Sequence, residues 1–134
     1  MTELQAGSYV LMDTFHRALT PGFEMALTVL ATVRSRHGRR VILDAGRKAV
    51  SVELGLPEVI GHRAATVSVS EEHASVDVAR GCSLAVGDTV ELVPGYVPTT
   101  TNLHAIYHVV EDGVVTDVWP VLARYGSDTA LAEG

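Results

Sequence analysis

The chain has 134 residues, a length that suits one domain with one hydrophobic core. Hydrophobic residues make up 47% and charged residues 19%, which excludes an intrinsically disordered chain. The net charge of -6 argues against a nucleic-acid partner, because neutralising phosphates needs a basic face.

The first apolar run is Ser8-Tyr9-Val10-Leu11-Met12, read as a strand. Thr14 to Leu19 reads as one or two helical turns, with Asp13 or Thr14 as N-cap and Pro21-Gly22 as the stop. Met25 to Ser35 is a longer strand. Leu27, Val29, Ala31 and Val33 share one face at period two, and Thr28, Leu30, Thr32 and Arg34 share the other. His37-Gly38-Arg39-Arg40 reads as a turn, which makes Arg40 to Leu43 the second arm of a hairpin. Asp44-Ala45-Gly46 ends that arm. As a bland turn it would place Gly46 in a left-handed conformation, and as a functional element it would present the Asp44 carboxylate to a site.

Lys48 to Val52 is a short strand candidate, with Gly55-Leu56-Pro57 and Gly61 marking a loop. Ala65 to Ser70 and Ala74 to Val78 read as two strands joined by Glu71-Glu72-His73. Thr89 to Val93 follows the Val86-Gly87-Asp88 turn. Thr100 to Ala105 reads as a short helical turn. Ile106 to Val110 and Val114 to Leu122 flank Asp112-Gly113, a strong hairpin signal. The fold class expected is therefore mainly β: a compact single-domain barrel or sandwich of about eight strands with one or two short helical turns. The domain is placed at 1–124, with 125–134 a loosely ordered tail.

Several groups invite a chemical reading. Lys48 could pair with Asp44 or with a substrate carboxylate. Glu72 beside His73 could set the imidazole for general-base work. His104 and His108 are four apart: on a helix they would share a face and could chelate a metal, whereas on a strand, which Ile106 and Val110 favour, they would lie about 13 Å from each other, too far for one ion. His16, His37 and His62 sit in polar or loop contexts and are assigned no role. The single cysteine, Cys82, rules out an intrachain disulfide and fits a reducing compartment. The longest apolar run, around Met25 to Val33, is too short to span a bilayer, and no signal peptide is read, so a cytoplasmic protein without membrane attachment is expected.

Four stretches and a closing strand carry a resemblance. They are Thr2 to Asp13, Val41 to Ser51, Ser70 to His73, and Val86-Gly87-Asp88 with the Pro94-Gly95-Tyr96-Val97-Pro98-Thr99-Thr100-Thr101-Asn102 loop; the closing strand is Val114 to Arg124 with Trp119. In this order they resemble the C-terminal β-domain of the D-threonine aldolase and D-serine dehydratase family. The resemblance implies an alanine-racemase-like, pyridoxal-phosphate-dependent lyase whose N-terminal α/β barrel carries the cofactor lysine. The β-domain would supply metal ligands and close the site, typically in a dimer. A barrel of about 250 residues has no room in this chain. In the family a His stands at the position of Tyr96, and a Cys or Asp at that of Pro98. Proline offers a metal no side-chain lone pair, and a neutral phenol is a poor ligand for a zinc-type ion.

The resemblance thus implies neither pyridoxal phosphate nor zinc in this chain, and leaves open whether it is an enzyme. One expectation is a stand-alone or detached β-domain that shapes a site and docks on a separate barrel chain or in a homodimer. The alternative is a repurposed metal- and cofactor-independent small enzyme of lyase, isomerase or cyclase type. It would bind a small molecule with Tyr96, His73, Asp44 and Lys48 in its pocket.

Overall fold

A computed structural model of the chain describes residues 2–3 and 6–122; the expected tail over 125–134 lies outside the described residues. The fold is mainly β, with eight strands and two short α-helices, α1 (Thr14–Leu19) and α2 (Val97–Thr101). Six strands form one antiparallel sheet in the order β3 (Glu58–Val59), β6 (Thr89–Val93), β1 (Val29–His37), β2 (Arg40–Leu43), β5 (Ala74–Val78), β4 (Ala64–Val69). Its two outer strands approach each other, and the Thr66 hydroxyl donates to the Pro57 carbonyl at 2.6 Å across the seam. The sheet is thereby curled into a nearly closed barrel, which hides its edges from other chains.

The period-two pattern of β1 decides which way it faces. Leu27, Val29, Ala31 and Val33 are all buried, while Leu30 and Arg34 are exposed. Val29, Ala31 and Val33 meet Val41 and Leu43 of β2, Val76 and Val78 of β5, and Val90 and Leu92 of β6 in one core. Small β-branched residues fill this narrow interior at strand spacing.

β7 (Ile106–Glu111) and β8 (Val114–Pro120) form a separate hairpin outside that core. Its turn places Asp112 at φ 50° and Gly113 at φ 78°, as a two-residue hairpin turn with two left-handed positions requires.

Four local expectations are corrected. Ser8–Val10 is a 3-10 turn rather than a strand, because the chain breaks at Met12, held at φ 53°. Lys48 to Val52 is not a strand: the N–H groups of Ala49 and Val50 both donate to the Gly46 carbonyl, at 2.9 Å each, and close a tight turn. Gly46 is not left-handed. A Cβ there would lie 2.2 Å from the Glu71 carbonyl oxygen, so the requirement is close backbone approach. The second helical turn falls at Val97–Thr101, a few residues earlier than Thr100 to Ala105.

Candidate functional site

The site is built on Asp13. The residue is an N-cap, as its type before Thr14-Phe15-His16 suggests: its Oδ1 accepts the His16 N–H at 2.8 Å. It is also 1% exposed, which is rare for a carboxylate and tolerable only when donors replace water. The same Oδ1 accepts from His16 Nδ1 at 2.9 Å, and Oδ2 accepts from the Val97 N–H at 2.9 Å. One carboxylate thus caps α1 and the first turn of α2. That turn has no cap of its own, because Tyr96 stands at its N-cap position with no side-chain cap bond. Pro98 costs nothing here, since an N–H in the first turn lacks a helical partner anyway.

Backbone strain precedes this buried acid. Met12 is 1% exposed and adopts a left-handed conformation that non-glycine residues rarely take. The Tyr96 ring stacks on the His16 ring, with centroids 5.9 Å apart and 24° between planes.

The rest of the Pro94 to Asn102 loop is held from the other side. A Cβ on Gly95 would meet the Gly55 carbonyl oxygen at 2.1 Å, so two backbones touch there. Buried Thr100 donates to the Tyr96 carbonyl at 2.8 Å and accepts the Ser51 N–H at 3.1 Å. Thr99 Oγ1 donates to Ser51 Oγ at 2.7 Å. His104 Nε2 lies 2.7 Å from the Ala49 carbonyl, a bond that anchors the segment entering β7.

The other candidates sit elsewhere. Asp44 closes the ladder beside a β1 bulge: its N–H donates to the Thr32 carbonyl at 3.1 Å and its Oδ1 accepts the Thr32 N–H at 2.6 Å. Lys48 pairs with Glu72, not Asp44, and both side chains are exposed. Glu72 therefore takes a cation across the turn rather than its neighbour His73, which is exposed and joins the turn through backbone bonds to Ser70. Contacts gather Lys48, Glu72 and the His73 turn on one side and Asp13, His16 and Tyr96 on another; no described contact links the two sets. Open grooves of about 560 and 260 Å³ near the barrel seam are lined by none of Tyr96, His73, Asp44 and Lys48.

The side chains of the Pro94 to Asn102 loop do not form a donor set for a zinc-type ion. Among the described residues no three His, Cys, Asp or Glu side chains gather where one ion could be held. In the loop itself Pro98 has no donor atom, and both Asp13 oxygens already accept N–H groups. The chain's one lysine, Lys48, is ion-paired on the surface. Sequence reasoning passed over His16. Its only signal was its place at the third position after the Asp13 cap.

Residues 26–110 match a family model described as "Putative serine dehydratase domain". The chain is 44% identical over 130 residues to a D-threonine aldolase of Arthrobacter sp, covering 92% of this chain and 34% of that protein. It is 39% identical over 133 residues to a 3-hydroxy-D-aspartate aldolase of Paracoccus denitrificans, covering 91% and 34%. The crystal structure of D-threonine aldolase from Filomicrobium marinum superposes with a TM-score of 0.85 at 32% identity, over 91% of this chain and 36% of that one. The D-threo-3-hydroxyaspartate dehydratase of Delftia sp. HT23 gives 0.73 at 25%, over 90% and 38%. The chain therefore spans about a third of the length of the curated relatives it matches.

Proposed function

The chain belongs to this serine dehydratase domain family, and from that premise we propose that it acts as the family's β-domain without the metal ligands, docking on a separate pyridoxal-phosphate barrel chain and shaping its site. The observation that carries this reading is the β7–β8 hairpin. Its register pairs Ile106 with Pro120, His108 with Val118 and Val110 with Val115, so these six residues share one face. Ile106, Val110, Val115 and Val118 are 43–58% exposed, and none belongs to the core. An isolated two-stranded hairpin is marginal in water, and a contiguous apolar face on one marks a contact surface. A barrel chain would supply the cofactor that the relatives' chemistry needs as an electron sink.

The test is affinity capture from the native host with tagged wild-type chain and with the double variant Val115→Lys/Val118→Lys. A pyridoxal-phosphate-containing barrel chain should be recovered by the wild type and lost with the variant. No such chain, or equal recovery by both, overturns the reading. A second reading, a metal- and cofactor-independent small enzyme using a small-molecule site, is favoured by the Asp13–His16–Tyr96 cluster.

A further inference from the structure

Two arginines flank the end of β5. Arg39 precedes β2, and its carbonyl accepts the Val78 N–H at 2.9 Å; Arg63 precedes β4, and its carbonyl accepts the Ala79 N–H at 2.8 Å. Their backbones are thus fixed across one strand, about 10 Å apart at twice the strand spacing. Both residues are exposed and line the groove of about 560 Å³, together with half-buried His62. Among the described residues, none of these three side chains makes a hydrogen bond or an ion pair. The groove also holds two carboxylates, but each has its own cation. Glu58 accepts two bonds from Arg17 at 2.9 Å, and Asp77 accepts two from Arg40 at 2.5 and 3.0 Å. Arg17 and Arg40 lie outside the lining, and Arg39 reaches Asp77 only through space. Val59, Ala64 and Ala79 add a small apolar wall.

We infer that this groove binds a small organic phosphate, its phosphoryl group held between Arg39 and Arg63 and its carbon chain on the Val59, Ala64 and Ala79 wall. A phosphate monoester carries close to two negative charges near neutral pH and three terminal oxygens. Two guanidinium forks match that charge and donate to those oxygens, and His62 adds a ring N–H donor beside them. A carboxylate brings one charge and leaves one arginine unmatched. The volume falls within the range of small-molecule sites, roughly 300–1,000 Å³. A nucleic acid fits worse, because a net charge of -6 repels a long polyanion while a short ligand meets only the local field. Neither the β7–β8 face nor the Asp13 cluster lines this groove.

The test is amide NMR of the whole chain titrated with monobutyl phosphate at about 0.15 M salt, where loose surface attraction is screened beyond about 8 Å. Three other probes run in parallel: butyl sulfate, which keeps the shape with one charge; inorganic phosphate, which lacks the carbon chain; and a thymidine oligonucleotide. The Ala64, Ala65 and Ala79 signals should move saturably with butyl phosphate. Butyl sulfate should bind at least about tenfold more weakly, and inorganic phosphate at least about threefold. Arg39→Gln and Arg63→Gln should each weaken butyl phosphate about tenfold. Arg34→Gln, exposed on the same hairpin but outside the groove, should change it less than about twofold. No saturable movement of these signals overturns the proposal. So does equal binding of butyl sulfate or of inorganic phosphate, an equal loss in Arg34→Gln, or tighter binding of the oligonucleotide.

Discussion

The Asp13 carboxylate accepts the Val97 N–H at 2.9 Å across 84 positions of sequence, so one buried acid joins the start of α1 to the start of α2. Removing it leaves three N–H donors without their acceptor: His16 N, His16 Nδ1 and Val97 N. A lost cap costs about 1 kcal/mol, and hydrogen bonds to a buried charge about 1.5–3 kcal/mol. These terms overlap, and freeing a buried carboxylate from the core offsets part of them. Asp13→Ala should therefore lose about 2–4 kcal/mol in urea unfolding. Asp13→Asn should lose less, because its carbonyl oxygen still accepts from His16 while its amide faces the Val97 N–H. A loss under about 0.5 kcal/mol for Asp13→Ala would show that the cross-link is not structural.

Gly95 makes a second, independent constraint on the same loop. A methyl at this position would sit 2.1 Å from the Gly55 carbonyl oxygen, and the obstructing atom is backbone that no side-chain rotation can clear. Overpacking of this kind costs about 1–3 kcal/mol. Gly95→Ala should lower the melting temperature accordingly and broaden the amide signals of Tyr96 and Val97. Gly22→Ala, where nothing lies within 4 Å, is the matched control and should stay near wild type.

Most of the barrel was legible because period-two burial is a local property. Val29, Ala31 and Val33 declare their face within five residues, and Asp112-Gly113 declares its turn within two. What failed was set by distant partners. Tyr9-Val10-Leu11 has strand-like side chains but no neighbouring strand to pair with, so it coils into a 3-10 turn. Glu58–Val59 is a strand only because β6 pairs with it, and two residues show no period. Asp13 was readable as a cap, yet its burial depends on Val97, and no local pattern around His16 announces that its ring will meet Tyr96. The family signature in the Pro94 to Asn102 loop was legible, while the acid that holds the loop lies outside the segment matched by the family model.

The Arg40–Asp77 pair predicts a small acid dependence with a definite sign. The Arg40 guanidinium donates to both Asp77 oxygens, at 2.5 and 3.0 Å, on neighbouring strands. This hydrogen bonding holds the Asp77 carboxyl below its ordinary value of 3.8; partial desolvation opposes the shift, while the charges of Arg40 and Arg39 add to it. The folded value is depressed, so the pair's contribution is present above the unfolded value and is lost as pH falls through the folded one. Thermal melts of wild type and Asp77→Asn should run parallel above about pH 5 and converge below about pH 4. The gap should shrink with added salt, because both side chains are solvent-exposed. Curves that diverge on acidification would contradict this sign.

Tyr96 separates ring from hydroxyl. Among the described residues no hydrogen bond is made by its phenol, whereas its ring stacks on His16 and its carbonyl accepts from Thr100. Tyr96→Phe keeps the ring and the backbone bond, so stability should stay within about 0.5 kcal/mol of wild type. Tyr96→Ala removes a half-buried ring that stacks on His16 and should cost about 1–2 kcal/mol in urea unfolding. A phenylalanine variant destabilised as much as the alanine variant would show that the phenol oxygen, not the ring, carries the contribution.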